Sequence, residues 1–290
     1  NGTERVIVTQ LHRSPGVDFS VETVAADRKL HSCWIIPERG SWIELNVTKK
    51  DVLAVRIDQS GKFPATGLLR AFNEKYSTHT EIVRNFYDTT KVSKGGSAWK
   101  KKILGKHAAA WIFDKETGDE IVDPTSAENT ITDEVLERIA NSEIRSVVLE
   151  RIVDPEREKK YDEVIERGRE KWKYGVKETT DGVSEVIKDV EDQLVLRTLR
   201  EDTTESHDEA LLRIYARLRP GNPPKVEKAR ELFLEKFSDR SRYRLGRVGR
   251  FRLNRKFKTN RPEDEETLHH SDLVNAVKYL VALRSPAATA

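Results

Sequence analysis

The sequence predicts an α+β fold: a β-rich first part, an inserted subdomain of hairpin and helices, and a helical C-terminal part. Three observations carry this. Residues 41–58 alternate with period two, placing Ile43, Leu45 and Val47 on one face and Trp42, Glu44 and Asn46 on the other. Residues 206–285 carry apolar stripes at helical spacing. Between these parts, short β-type runs and capped helix starts follow one another without a long periodic segment.

In chain order, Val6, Ile7 and Val8 form a β-branched run that predicts a strand closed by the turn Ser14-Pro15-Gly16. After the 41–47 strand, Leu53, Val55 and Ile57 point inward and Ala54, Arg56 and Asp58 outward, up to the turn at Ser60-Gly61. Residues 66–87 read as helical, with Thr78 and Glu81 as a capping box before Ile82, Val83, Phe86 and Tyr87. Residues 92–106, rich in Gly, Ser and Lys, read as a loop, and Ala110 to Val122 as a hairpin whose turn ends at Gly118. Thr132 caps a short helix, and Ser146 to Leu149 is a strand. Tyr161, Val164, Ile165, Gly168 and Trp172 form one helical stripe. Val183, Val186, Ile187, Val190 and Leu194 form a second, so two packed amphipathic helices are expected here. Leu211, Ile214, Tyr215 and Leu218 stripe a helix ending before Pro220. Val226, Ala229, Phe233 and Phe237 stripe the next, and Ser271 caps a last one bearing Leu273, Val277, Leu280 and Val281. The expected division is a core of residues 1–87 and 204–285, an inserted subdomain at 88–203 with a variable helical part at about 151–200, and a linker at 286–290.

The bulk composition narrows the function. The chain has 290 residues, 37% hydrophobic and 35% charged, which suits an elongated, surface-rich module better than a compact enzyme. The net charge of +3 leaves partners to be read from charge distribution. One cysteine, Cys33, excludes an internal disulfide and fits a reduced, cytoplasmic setting. No apolar run approaches the ~20 residues that span a bilayer. The chain opens directly in a strand and holds no methionine, so it reads as a piece of a larger protein.

Three groups of residues could carry chemistry. From Arg240 to Arg261 the chain holds ten Lys or Arg and no acidic residue, with Tyr243 and Phe251 interleaved. Such a patch either draws phosphate or another acidic surface, or is a solvated face neutralised by the acidic residues of 154–170 or 263–266. Trp42, outward and paired with Arg13, either offers a pocket for an unpaired base or covers a neighbouring loop. His269 and His270 with Asp272 lack a well-spaced third ligand, so no metal is expected. Cys33 beside Trp34 reads as a buried small hydrophobe. No phosphate-binding loop, dinucleotide fingerprint, serine elbow or two-metal carboxylate motif occurs, so no catalytic residue is expected here and a free-standing hydrolase has no support.

Several strings resemble the beta subunit of bacterial DNA-directed RNA polymerase. Residues 2–16 read GTERVIVTQLHRSPG, against the family's GTERVIVSQLHRSPG. Residues 35–42 resemble IIPYRGSW, residues 55–66 VRIDRKRKLPAT, the turn from Arg219 to Pro224 RPGEPP, and residues 242–254 RYDLSAVGRMKFN. Glu38 replaces the family's aromatic and Gln59-Ser60-Gly61 a basic run, lowering the positive charge there. The resemblance covers roughly 1–150 and 204–285. It implies the lobe domain of that subunit, a wall of the DNA cleft that contacts downstream and non-template DNA as part of a nucleotidyltransferase. Arg13 and Trp42 match positions lining a pocket for a non-template base. Arg5 and Val8 match positions at the edge of the rifamycin pocket. Charge and position add Arg39, Arg56, Lys62, Arg219, Arg247 and Arg250 as backbone-phosphate contacts. The implied partners are the beta-prime, alpha and omega subunits, sigma factor, DNA and transcription factors, in the bacterial nucleoid and without membrane. No cofactor is expected in this segment, the family's Mg2+ being bound by another subunit. The competing reading is a docking platform for sigma or other transcription factors, with DNA contact incidental.

Overall fold

The computed structural model describes residues 2–9, 11–24, 28–126, 128–151, 174–188, 190 and 192–284. Five antiparallel strands form a meander in the order β1 (Gly16–Val24), β2 (Arg28–Ile36), β3 (Ile43–Val47), β4 (Leu53–Ile57) and β5 (Phe63–Pro64). Strands β3 and β4 bury Ile43, Leu45, Val47, Leu53, Val55 and Ile57 on the expected face, because alternation places every second side chain on one side of the pleat. Ala54 on the opposite face is buried as well.

Helices close over the inward face. The chain passes from β5 straight into α1 (Ala65–Phe72), then through a 3₁₀ turn (Glu74–Tyr76) to α2 (His79–Phe86). The predicted helical stretch is thus two helices, since Thr78 starts a new one. Thr78 Oγ1 accepts from the Glu81 N–H at 3.3 Å and Glu81 Oε2 accepts from the Thr78 N–H at 3.5 Å. Because this cap is buried, Thr78→Ala is expected to cost about 1 kcal/mol, read as a lowered denaturant midpoint at unchanged slope. Beyond it come α5 (Leu194–Glu201), α6 (His207–Leu218), α7 (Val226–Phe237), α8 (Gly246–Phe257) and α9 (His270–Ala282). Their apolar stripes join the sheet in one core.

A second apolar core gathers β6 (Thr89–Ser93), α3 (Trp99–Ile103), β7 (Trp111–Asp114), β8 (Glu120–Val122), α4 (Asp133–Asn141), β9 (Ile144–Arg151) and β11 (Val183–Ile187), and β10 (Tyr174–Asp181) pairs with β9. The strands form a four-stranded sheet in the order β10-β9-β7-β8 and a two-stranded β11-β6 pair. The hairpin of β7 and β8 turns at Gly118, whose φ is +75°. Leu194, Val195, Leu196 and Leu199 already belong to the first core, so the packing returns to it before residue 204.

Several expectations are corrected. Residues 2–9 form no strand, having no neighbour to pair with among the described residues, and Val6, Ile7 and Val8 stand exposed. The Lys-rich stretch read as a loop contains α3, seated by the buried Trp99 and Ile103. The expected helix over 183–194 is strand β11, and helix resumes only at Leu194. Gly182, at φ +66°, turns the chain from β10 into β11, whose β-branched Val183, Val186 and Ile187 pair with β6. The other expected helix, over 154–173, lies outside the described residues. The last helix is capped by His269, not Ser271: the His269 ring accepts from the Ser271 N–H, and Asp272 accepts from the His269 N–H at 2.9 Å.

Candidate nucleic-acid interface

On the outer face of the first sheet, three side chains stand in cross-strand register. Trp34 of β2 faces Glu44 of β3, which faces Arg56 of β4. Arg56 pairs with Glu44 at 3.8 Å. Residues 12–13 lie over this region. The Arg13 guanidinium sits 5.4 Å from the Trp34 ring centroid. His12 meets the Trp42 ring edge-on, with centroids 6.1 Å apart at 87°.

Arg13 and Trp42 thus share the region without pairing. Neighbouring residues of the segment each take a different tryptophan. The sequence singled out neither Trp34 nor His12 for this role, although the alternation that puts Glu44 outward puts Trp34 in the same row. Trp42 is held through its backbone. Its N–H donates to Asp58 Oδ1 at 2.9 Å and its carbonyl accepts from the Asp58 N–H at 2.9 Å. Lys236 Nζ completes the clamp, donating to Asp58 Oδ2 at 3.0 Å and to Ser41 Oγ at 2.7 Å. Burial would raise the Asp58 pKa, but the bonds from Lys236, Ser41 and the Trp42 amide outweigh it and hold the carboxyl below its ordinary range.

The basic run folds mostly onto acids. Arg242 pairs with Glu235 at 3.2 Å, Arg244 with Glu38 at 2.8 Å, Arg252 with Asp18 at 2.8 Å and Arg261 with Glu265 at 2.8 Å. Arg250 is a correction: its side chain is 0% exposed and cannot reach a phosphate. It lies on the inward face of α8, where Nη1 donates to both Asp272 oxygens at 2.8 and 2.9 Å. Its Nε and Nη2 donate to the carbonyls of Glu265 and Thr267 at 2.8 and 2.6 Å. Tyr243 is fully buried and offers no stacking face, whereas Phe251 is 51% exposed. Arg247 stays 77% exposed beside Glu263 at 3.6 Å. Arg255 and Lys258 are exposed and form no ion pair among the described residues.

The remaining predicted residues divide by exposure. Arg39 is exposed and fixed through its backbone, its N–H donating to the Arg244 carbonyl at 2.9 Å and its carbonyl accepting at 2.7 Å. Lys62 and Arg219 are exposed and without an ion pair among the described residues. Arg5 and Val8 lie in the segment 2–9, where both are exposed. The histidine cluster is a helix cap: Arg261 Nη2 donates to His269 Nδ1 at 2.6 Å, and Asp272 is engaged by Arg250. Burial, with His269 and Arg261 nearby, pushes the His270 pKa down to about 4. Cys33 is buried, and burial pushes its thiol pKa up, away from nucleophilic use.

Sequence comparison places this geometry in a family. The family described as RNA polymerase Rpb2, domain 2, matches residues 174–286. A DNA-directed RNA polymerase subunit beta of Rhodopirellula baltica is 46% identical over 287 residues, covering 98% of this chain and 20% of the relative. Those of Syntrophotalea carbinolica and Leptospira biflexa are 35% and 32% identical, covering 98% and 99% of this chain and 22% and 20% of the relatives. The chain therefore belongs to the DNA-directed RNA polymerase beta-subunit family, whose curated members it matches over about a fifth of their length.

Proposed function

We propose that this chain is the lobe of the beta subunit of a DNA-directed RNA polymerase, one wall of the DNA cleft that contacts downstream duplex and the displaced non-template strand. The observation that carries the reading is the exposed Arg13 beside the half-buried Trp34 and Trp42, backed by the exposed Arg39, Lys62 and Arg219. Aromatic faces stack unpaired bases and exposed cations take phosphates. Arg56 and Arg247, each beside one carboxylate, stand at its margins, while Arg5 and Val8 belong to a pocket edge that other parts of the subunit complete. In this reading the segment carries no catalytic residue. The assembled enzyme, with its beta-prime, alpha and omega subunits and sigma factor, works in the nucleoid and supplies the Mg2+ site from another subunit. The division into a core of 1–87 and 204–285 with an inserted unit belongs to the same proposal.

The docking reading keeps one specific support. Val248 and Phe251 stand exposed on α8 beside arginines already paired with acids, a surface better suited to protein than to phosphate.

The test uses the native protein. An antibody to this chain should recover a polypeptide several times its size, together with other subunits and template-dependent nucleotide incorporation. A lone species of this chain's mass without incorporation would overturn the reading.

A further inference from the structure

A cationic surface without ion-paired acids among the described residues lies outside the basic run, at the C-terminal half of α6. Arg213 and Arg217 are four residues apart, a rise of about 6 Å along one helix face, and neither has an ion pair among the described residues. Arg217 reaches over the turn between β4 and β5. Its guanidinium lies 5.5 Å from the Phe63 ring centroid, and its Nη1 is 3.2 Å from where a Cβ on Gly61 would stand. Lys62, between these two residues, is exposed.

Nearby acids are engaged elsewhere. Asp202 lines the same small hollow as Phe63 and Arg213, but it accepts from Thr66 and Thr204 at 2.5 and 2.7 Å and lies 3.6 Å from Arg70. Glu209, one turn before Arg213, accepts from the Glu205 N–H at 3.1 Å. The Arg217 Nε is buried and has no hydrogen-bond partner among the described residues. The helix dipole favours a cation in the last turn, which accounts for Arg217 but not for Arg213 or Lys62. Two like charges one turn apart repel each other, and burial with the nearby Arg213 lowers the Arg217 pKa. An anion bound between them relieves both costs.

We propose that Lys62, Arg213 and Arg217, with Phe63 orienting Arg217 from below, form a seat for backbone phosphates of nucleic acid, continuous in sequence with Arg219. This rests on the nucleic-acid reading above and adds two residues to it. It also shifts the main phosphate contact away from the 240–261 run, whose arginines are largely paired.

The test is a salt series of forked-DNA binding by the complete protein that carries this chain. Each lost phosphate contact lowers the slope of log affinity against log salt by about 0.9 for duplex and 0.7 for single strand. Arg213→Gln with Arg217→Gln should therefore flatten the slope by about 1.4–1.8, while Lys at both positions keeps it. An unchanged slope in the Gln variant, with a flattened one in Arg13→Gln/Arg39→Gln, would overturn this seat and leave the nucleic-acid reading standing. Unchanged slopes in both variants would overturn both. Equal loss in the Gln and Lys variants would show a packing role and overturn the seat.

Discussion

Replacing Arg250 by alanine is expected to lower the unfolding free energy by about 3–5 kcal/mol, because it strands a buried carboxylate without its counter-charge. The Arg250 guanidinium satisfies both oxygens of Asp272 and two carbonyls of the 265–267 segment, and both side chains are essentially excluded from water. Asp272 also closes the N-terminus of α9 by accepting from the His269 N–H. One substitution therefore removes an ion pair, leaves two carbonyls without a donor and loosens a cap. Arg247→Ala, three residues earlier and largely exposed, should fall within about 0.5 kcal/mol of the parent. Denaturant midpoints of the two variants decide the matter. Similar midpoints would mean that Arg250 faces solvent.

An effect of similar size is expected at a second buried charge. Arg70 is fully enclosed between α1 and the loop before α6. It donates to the Ser77 carbonyl and to His79 Nδ1, the latter at 3.1 Å, and lies 3.6 Å from Asp202. Asp202 in turn accepts from the hydroxyls of Thr66 and Thr204. Asp202→Ala leaves the buried guanidinium without its ion-pair partner, at a cost of about 3–5 kcal/mol.

The same network makes stability depend on pH. His79 must be neutral to accept from Arg70, and burial, with Arg70 alongside, holds its pKa well below the ordinary 6.5. The unfolded chain therefore binds a proton at pH values where the folded chain does not. The His79 contribution is complete above about pH 6.5 and is lost as pH falls toward the folded value, at up to about 1.4 kcal/mol per pH unit. His79→Gln should flatten that stretch of the stability–pH curve in unfolding series below pH 6.5. An unchanged slope would show that His79 does not titrate with folding.

Patterns spanning a few residues were legible in the sequence. The alternation over 41–58 specified β3, β4 and their buried faces. The Thr78 to Glu81 spacing specified the start of α2, and the stripes over 207–237 specified α6 and α7. Each is decided by local geometry, a pleat of period two or a helix of period 3.6, so a short window holds the information. The strings shared with polymerase beta subunits were legible for the same reason. Over 183–187 a helical stripe and a strand of β-branched residues fit the same apolar positions. Pairing with β6, some 94 residues earlier, settled it as a strand.

The candidate site depended more on tertiary structure. The run from Arg240 to Arg261 shows ten cations in sequence but none of the acids that meet them. Asp272 lies 22 positions from Arg250, Glu38 206 from Arg244 and Asp18 234 from Arg252. Whether an arginine is a buried strut or a free phosphate ligand is a question of partners and water. Sequence determined the family, the α+β character and which residues carry charge. Only the folded chain decided which charges cancel, because ion pairing depends on separations of a few ångströms that chain distance does not encode.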